Sequence, residues 1–252
     1  MKHLKLFETT AAFNAAKDNI EKPYVALTED DSKVHYKDVP HYDMVDLGLP
    51  SGLKWATCNL GATKPEEYGD YFMWGSVTPN TDTAWDWAHA PYQTNASATS
   101  YSATKWTKYL GSTSSSYKDP SATDEDALKT VLDPEDDAAY VATNGAMRMP
   151  TKEEFDELLS GTTNEWTTEN GVYGRKFTSK TDSSKYIFIP ASGGRNGSSF
   201  FGQGSDGYVR SSSLDSDNPG YAWDLYFGLG RCYVSGYRNR SVGLAVRPVL
   251  DK

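Results

Sequence analysis

Two thiols, four imidazoles and one dense run of carboxylates are the groups in this chain that could catalyse or ligate. A thiol-dependent oxidase needs two neighbouring cysteines with thiolate character and access. Cys58 lies in a glycine-rich apolar stretch, and Cys232 alternates with apolar residues, so each reads as a small buried hydrophobe. Two cysteines cannot build a disulfide scaffold. His3, His35, His41 and His89 lack the spacing of zinc ligands, and no metal is expected. Residues 119–137 hold eight carboxylates and a single base, Lys129. That run reads as a solvated face. A cation site is the alternative, because hard cations take converging oxygen ligands. Gly202-Gln203-Gly204-Ser205-Asp206-Gly207 fits G-x-G-x-x-G, but a dinucleotide cradle needs that loop to open a helix. YVRSSS follows instead, so the glycines read as a turn and no cofactor is expected. Glu153, Glu154 and Glu157 could pass for paired catalytic acids, yet acids in a first helical turn complement the helix dipole. No G-x-S-x-G elbow occurs. No catalytic residue is assigned, and the chain is not expected to be an enzyme.

The elements that would position any site follow from composition and pattern. The 252 residues are 38% hydrophobic and 13% aromatic, with 7 Trp and 17 Tyr, enough for a sizeable core. The 25 basic against 34 acidic residues give a net charge of -9, which excludes a non-specific nucleic-acid binder. No apolar run is long enough to cross a membrane as a helix. The opening MKHLKLFETTAAF lacks the features of a signal peptide, so a secretory route would need a signal from elsewhere. Residues 1–42 read as a separate attachment piece. It holds a short helix after Thr10 with Phe13, Ala16 and Ile20 on one face, then a hairpin of YVALT and KVHY. Residues 43–252 read as the main domain. Its Ser/Thr-rich tract 93–123 reads as a long surface loop. PTKEEFDELL predicts a helix capped by Thr151 with Glu154 as capping-box partner. KYIFIPA, AWDLYF, CYVSGY and LAVRPV predict strands, with Trp55, Trp74, Trp223, Leu225 and Val246 in the core.

Six motifs appear in order from Val45 to Leu250: VDLGLPSGLKWATCNLGA, EEYGDYFMWG, LDPEDDAAYV, RMPTKEEFDELL, IPASGGRNGSS and GLAVRPVL. With them the chain resembles the Fibrobacter succinogenes major paralogous domain family of Bacteroidetes and their phages. The resemblance implies an α+β, C-type-lectin-like fold close to the formylglycine-generating-enzyme branch. It also implies a ligand face near the C-terminal strands. Some proteins of this kind are variable proteins of diversity-generating retroelements, in which adenines of the last coding segment are mutated. Residues 191–250 hold six Arg and no Lys, as mutated Asn codons would give. Calcium-dependent sugar binding in C-type lectins uses Glu-Pro-Asn or Gln-Pro-Asp with Trp-Asn-Asp. Asp217-Asn218-Pro219 and Trp223-Asp224 match neither.

Strand alternation supplies a physical argument for the same face. In AWDLYF and CYVSGY, a period of two puts Trp223, Leu225, Phe227, Cys232 and Val234 on one side, and Asp224, Tyr226, Tyr233 and Ser235 on the other. The second set, expected to face outward, is rich in Tyr and Ser, the composition of antibody combining sites. The predicted binding face is Val209, Arg210, Asp224, Tyr226, Gly228, Leu229, Arg231, Tyr233, Ser235, Tyr237, Arg238 and Ser241. An ordinary solvated sheet face is the bland alternative. The function expected is a diversified receptor-binding protein on a virion or cell surface, with an unidentified protein or glycan as partner. An undiversified adhesin or structural domain is the second reading. A formylglycine-generating-type oxidase is the third.

Overall fold

The structure is a computed structural model. It describes residues 42–79 and 85–251 in full and, nearer the start, the backbone of strands β1 (His3–Phe7), β2 (Tyr24–Thr28) and β3 (Val34–Lys37). β2 and β3 pair antiparallel with Tyr24 opposite Lys37, the hairpin that alternation predicts. β1 adds to β2 in parallel, a strand the sequence reading did not include. The predicted helix after Thr10 lies outside the described residues.

From Tyr42 onward the architecture is mixed α+β, with small antiparallel sheets and short helices. β4 (Met44–Asp46) and β5 (Lys54–Ala56) come first, followed by α1 (Asp124–Leu128), α2 (Ala138–Ala142) and α3 (Lys152–Gly161). Then follow β6 (Thr162–Glu169), β7 (Val172–Ser179), β8 (Tyr186–Pro190), β9 (Gly194–Asn196) and β10 (Ser199–Phe201). β11 (Asp206–Leu214), β12 (Tyr221–Gly228), β13 (Arg231–Asn239), β14 (Gly243–Leu244) and β15 (Val249–Leu250) complete the chain. They pair as β4–β5–β15, β6–β7–β8, β10–β9–β14 and β11–β12–β13. β15 lies against the early strand β5, Val249 opposite Trp55.

Alternation along β4 and β5 sends neighbours to opposite sides, and each side collects an apolar layer. Trp55 joins Phe155, Leu158, Phe177, Ile187, Val209, Leu225 and Phe227. Ala56 joins Trp74, Tyr109, Leu214 and Val246. Four of the five predicted core residues (Trp55, Trp74, Leu225 and Val246) are fully buried. Trp223 is not: it is half-buried, with the Lys152 ammonium 5.1 Å from its ring. A register shift between Ala222 and Asp224 interrupts the alternation that placed Trp223 inward.

α3 begins as predicted. Thr151 Oγ1 accepts from the Glu154 N–H, and the Glu154 carboxylate accepts from the Thr151 N–H at 2.8 Å. Phe155 and Leu158 turn into the core. The tract 93–123 differs from expectation. It wraps a buried Trp106, which packs with Ala90, Leu110 and Ala127. A Ser/Thr-rich composition hid a segment tied to the body by a few large side chains.

Candidate ligand-binding face

The three strands β11, β12 and β13 form the sheet on which the predicted site stands. Their register makes side-chain rows. Tyr208 lies opposite Tyr226 and Tyr226 opposite Tyr233; Arg210 lies opposite Asp224 and Asp224 opposite Ser235. These six therefore share one face, as alternation predicts for four of them. Val209, Leu225 and Val234 form the intervening row and turn to the core. Val209 is thus a core residue and not part of the face.

Sharing a face does not mean facing solvent. A second layer lies over much of it: Phe201, Val242 and Leu244 pack on Tyr208 and Tyr226. Arg210, Asp224, Tyr226, Ser235 and Ser241 are buried, as is Gly228 where the sheet ends. With Val209, seven of the twelve predicted positions are buried. Leu229, Arg231, Tyr233 and Tyr237 are exposed, and Arg238 is half-buried. The single exposed twelve-residue face expected from the sequence does not form. Alternation gives the phase of a strand, but it cannot tell whether a later segment covers the second side.

The buried members have structural work. Arg210 donates to the carbonyls of Asn239 at 3.0 Å and Val242 at 2.7 Å, pinning the turn after β13. Tyr226 stacks on Tyr208 and donates to Asp206 at 2.8 Å. Asp224 is fully buried, and neither carboxylate oxygen has a hydrogen-bond partner. Burial raises its pKa to about 7, against the opposing pull of Arg210 and Arg238.

Two cavities open where the cover ends. One, of about 560 Å³, lies between the β9–β10 hairpin and the end of β13, lined by Asn196, Ser199, Phe201, Arg238, Asn239 and Val242. The other, of about 380 Å³, is lined by Asp215, Asp217, Trp223, Tyr233 and Ser235. Tyr237, 81% exposed, belongs to both and forms the wall between them. Arg238 stacks on Tyr208 with its guanidinium 4.2 Å from the ring centroid. The sequence reading found Tyr233, Ser235, Tyr237 and Arg238 but missed Asn196, Ser199, Phe201 and Asn239. The signal was present in GRNGSSFF: Gly197 has φ +57°, as a tight hairpin turn requires, and Phe200 is left exposed.

Other chemical groups resolve differently. Gly202 to Ser205 form a turn between β10 and β11, with positive φ at Gly202 and Gly204, and Asp206 and Gly207 open β11. Cys58 and Cys232 sit in different apolar clusters. Burial pushes the Cys232 thiol up to about 11. In the acidic run, carboxylate oxygens of Asp133, Glu135 and Asp136 come within 4.8 Å of one another. The Lys108 ammonium stands among them, 2.5 Å from Asp133 and 2.6 Å from Asp136, and Lys129 reaches Asp133 at 2.9 Å. Those lysines supply the positive charge there, so part of this run is an ion-pair network and not a solvated face. No family model matches this chain, and neither any curated protein nor any solved structure is found to match it.

Proposed function

We propose that this is a ligand-binding protein on a C-type-lectin-like scaffold, diversified by a retroelement at the exposed end of β13, and not an enzyme. The observation that carries the reading is the pair of cavities sharing Tyr237 as a wall. Around them stand Tyr233, Trp223, Phe201 and Arg238, side chains of the kind that dominate binding energy at interfaces. Beneath them lies a buried frame of Arg210, Tyr208 and Tyr226, so the rim can change while the frame holds. The family resemblance supports the scaffold, as do the small antiparallel sheets and the pairing of the last strand with an early one. The partner would be a protein or glycan on a cell surface.

Two measurements test this. Labelled protein is applied to intact bacterial cells and to an immobilised glycan panel. Tyr233→Ala with Tyr237→Ala should abolish whatever binding is seen and leave the melting temperature near that of the parent. Retained binding would overturn the placement of the site. Sequencing the segment for residues 191–250 from a mixed population should show replacements at Leu229, Arg231, Tyr233, Tyr237 and Arg238, with Arg210, Asp224 and Tyr226 constant. An invariant segment with no reverse transcriptase gene nearby would replace diversification with a fixed adhesin.

A further inference from the structure

The two cavities flanking Tyr237 differ in charge. The smaller carries Asp215 and Asp217. The larger carries one cation, Arg238, and no acid. In a chain of net charge -9, an acid-free pocket built around a guanidinium is a local reversal of sign. Among the described residues, the Arg238 guanidinium makes no ion pair: it stands over the ring of Tyr208, near those of Phe201 and Tyr226, and the buried Asp224 carboxylate feels its charge without bonding to it. The remaining polar lining consists of the amides of Asn196 and Asn239 and the hydroxyls of Ser199 and Tyr237. Amides and hydroxyls each donate and accept, which suits an array of ligand hydroxyls. Phe201 adds an aromatic surface. The volume of about 560 Å³ falls in the range of small-molecule sites.

These features select among ligand classes. A polyphosphate or nucleic acid would want several cations, and the lining has one. A purely apolar ligand would leave the amides and hydroxyls without partners, which is costly once they are desolvated. A simple carboxylate would use Arg238 alone and waste the other donors. A ring bearing both hydroxyls and one carboxylate uses them all. A guanidinium takes a carboxylate through two parallel hydrogen bonds, so it fixes orientation as well as charge.

We propose that the cavity between the β9–β10 hairpin and the end of β13 binds the carboxylate-bearing sugar of an acidic glycan, with Arg238 on the carboxylate and Asn196, Ser199 and Asn239 on the hydroxyls. This rests on the ligand-binding reading above and names the class of its ligand. The sugar face packs on Phe201 and Tyr237, and Tyr237 separates it from the acidic cavity, which repels the same group.

The test is a titration of the full chain at neutral pH with sodium glucuronate, its neutral counterpart methyl glucoside, and sodium acetate at equal ionic strength. Glucuronate should bind at least about tenfold more tightly than either, because the glucoside lacks the charge-assisted contact and acetate lacks the hydroxyls. Arg238→Gln should remove that preference and bring glucuronate to the level of the glucoside, while melting with the parent. Asn196→Ala should weaken glucuronate and leave acetate unchanged. Equal binding of all three probes, or an unchanged preference in Arg238→Gln, would overturn the proposal. If glucuronate fails but cell or glycan-panel binding still depends on Tyr237, the acidic-sugar assignment falls and the binding-protein reading stands. If neither is seen, both fall. An acidic glycan and a free sugar acid share this chemistry. A glucuronate oligomer that binds more tightly than the monomer identifies the glycan as the source, and equal binding identifies the free acid.

Discussion

At the scale of single residues, two tyrosines of one sheet have opposite tolerances. Tyr226 is buried, stacked on Tyr208 and hydrogen-bonded to Asp206. Tyr226→Ala should cost about 3 kcal/mol, as large-to-small changes in packed sites do. Tyr237 is 81% exposed, and Tyr237→Ala should change stability by under about 0.5 kcal/mol. Chemical denaturation of the two variants measures both; similar losses would mean that the cover over Tyr226 is misplaced. Asp224 adds a pH signature. Its folded pKa of about 7 lies above the unfolded value of about 3.9. The folded state therefore holds the proton more tightly. The resulting stability is full below about pH 4 and is lost as pH rises through about 7. Arg210 on β11 and Arg238 on β13 face this carboxylate, as does the Tyr208 phenol. Asp224→Asn should melt with the parent at about pH 3.5 and increasingly above it as pH rises to about 8. An equal offset at both pH values would show that the carboxylate is not the titrating group.

At the scale of elements, local signals were readable where local physics decides the outcome. The capping box of α3 is a matter of four consecutive residues, Thr151 to Glu154, and it forms as read. Thr151→Ala should cost about 1 kcal/mol, which thermal unfolding will register. A neutral result would mean that the Glu154–Arg148 ion pair, at 2.6 Å, holds the turn unaided. Strands β12 and β13 were equally legible because apolar alternation is written in eight or nine residues, and β8 because a short apolar run marks a buried strand. What was illegible needs two distant segments at once. Arg210 looked like a surface cation until the carbonyls of Asn239 and Val242 were brought over it. Trp106 sat in a polar tract, and only the fold shows Arg240 stacked 4.0 Å from its ring. The half of the candidate site contributed by Asn196, Ser199 and Phe201 was missed for the same reason. Those residues belong to another sheet, and proximity to β13 is a tertiary fact.

At the scale of the whole molecule, buried guanidinium groups do the joining that regular structure would do elsewhere. Arg247 is fully buried and donates to the Ala56 carbonyl at 2.9 Å, the Phe188 carbonyl at 3.0 Å and the Asn59 side chain at 3.0 Å. It thus holds together β8, the end of β5 and the chain's final segment. Lysine cannot present such a fork. Arg247→Lys should lose about 3 kcal/mol, since more than one buried group is left without a partner. Urea denaturation would measure the loss, and a loss below about 1 kcal/mol would demote the fork to a bystander. The strand partnership of Val249 with Trp55 has a consequence in time. On a ribosome adding about 5–20 residues per second, Trp55 emerges roughly 10–40 seconds before the strand that closes over it. Throughout that interval the first tryptophan of the core is an exposed edge in search of a neighbour. The nascent protein must keep that edge from other chains until the strand at Val249 arrives.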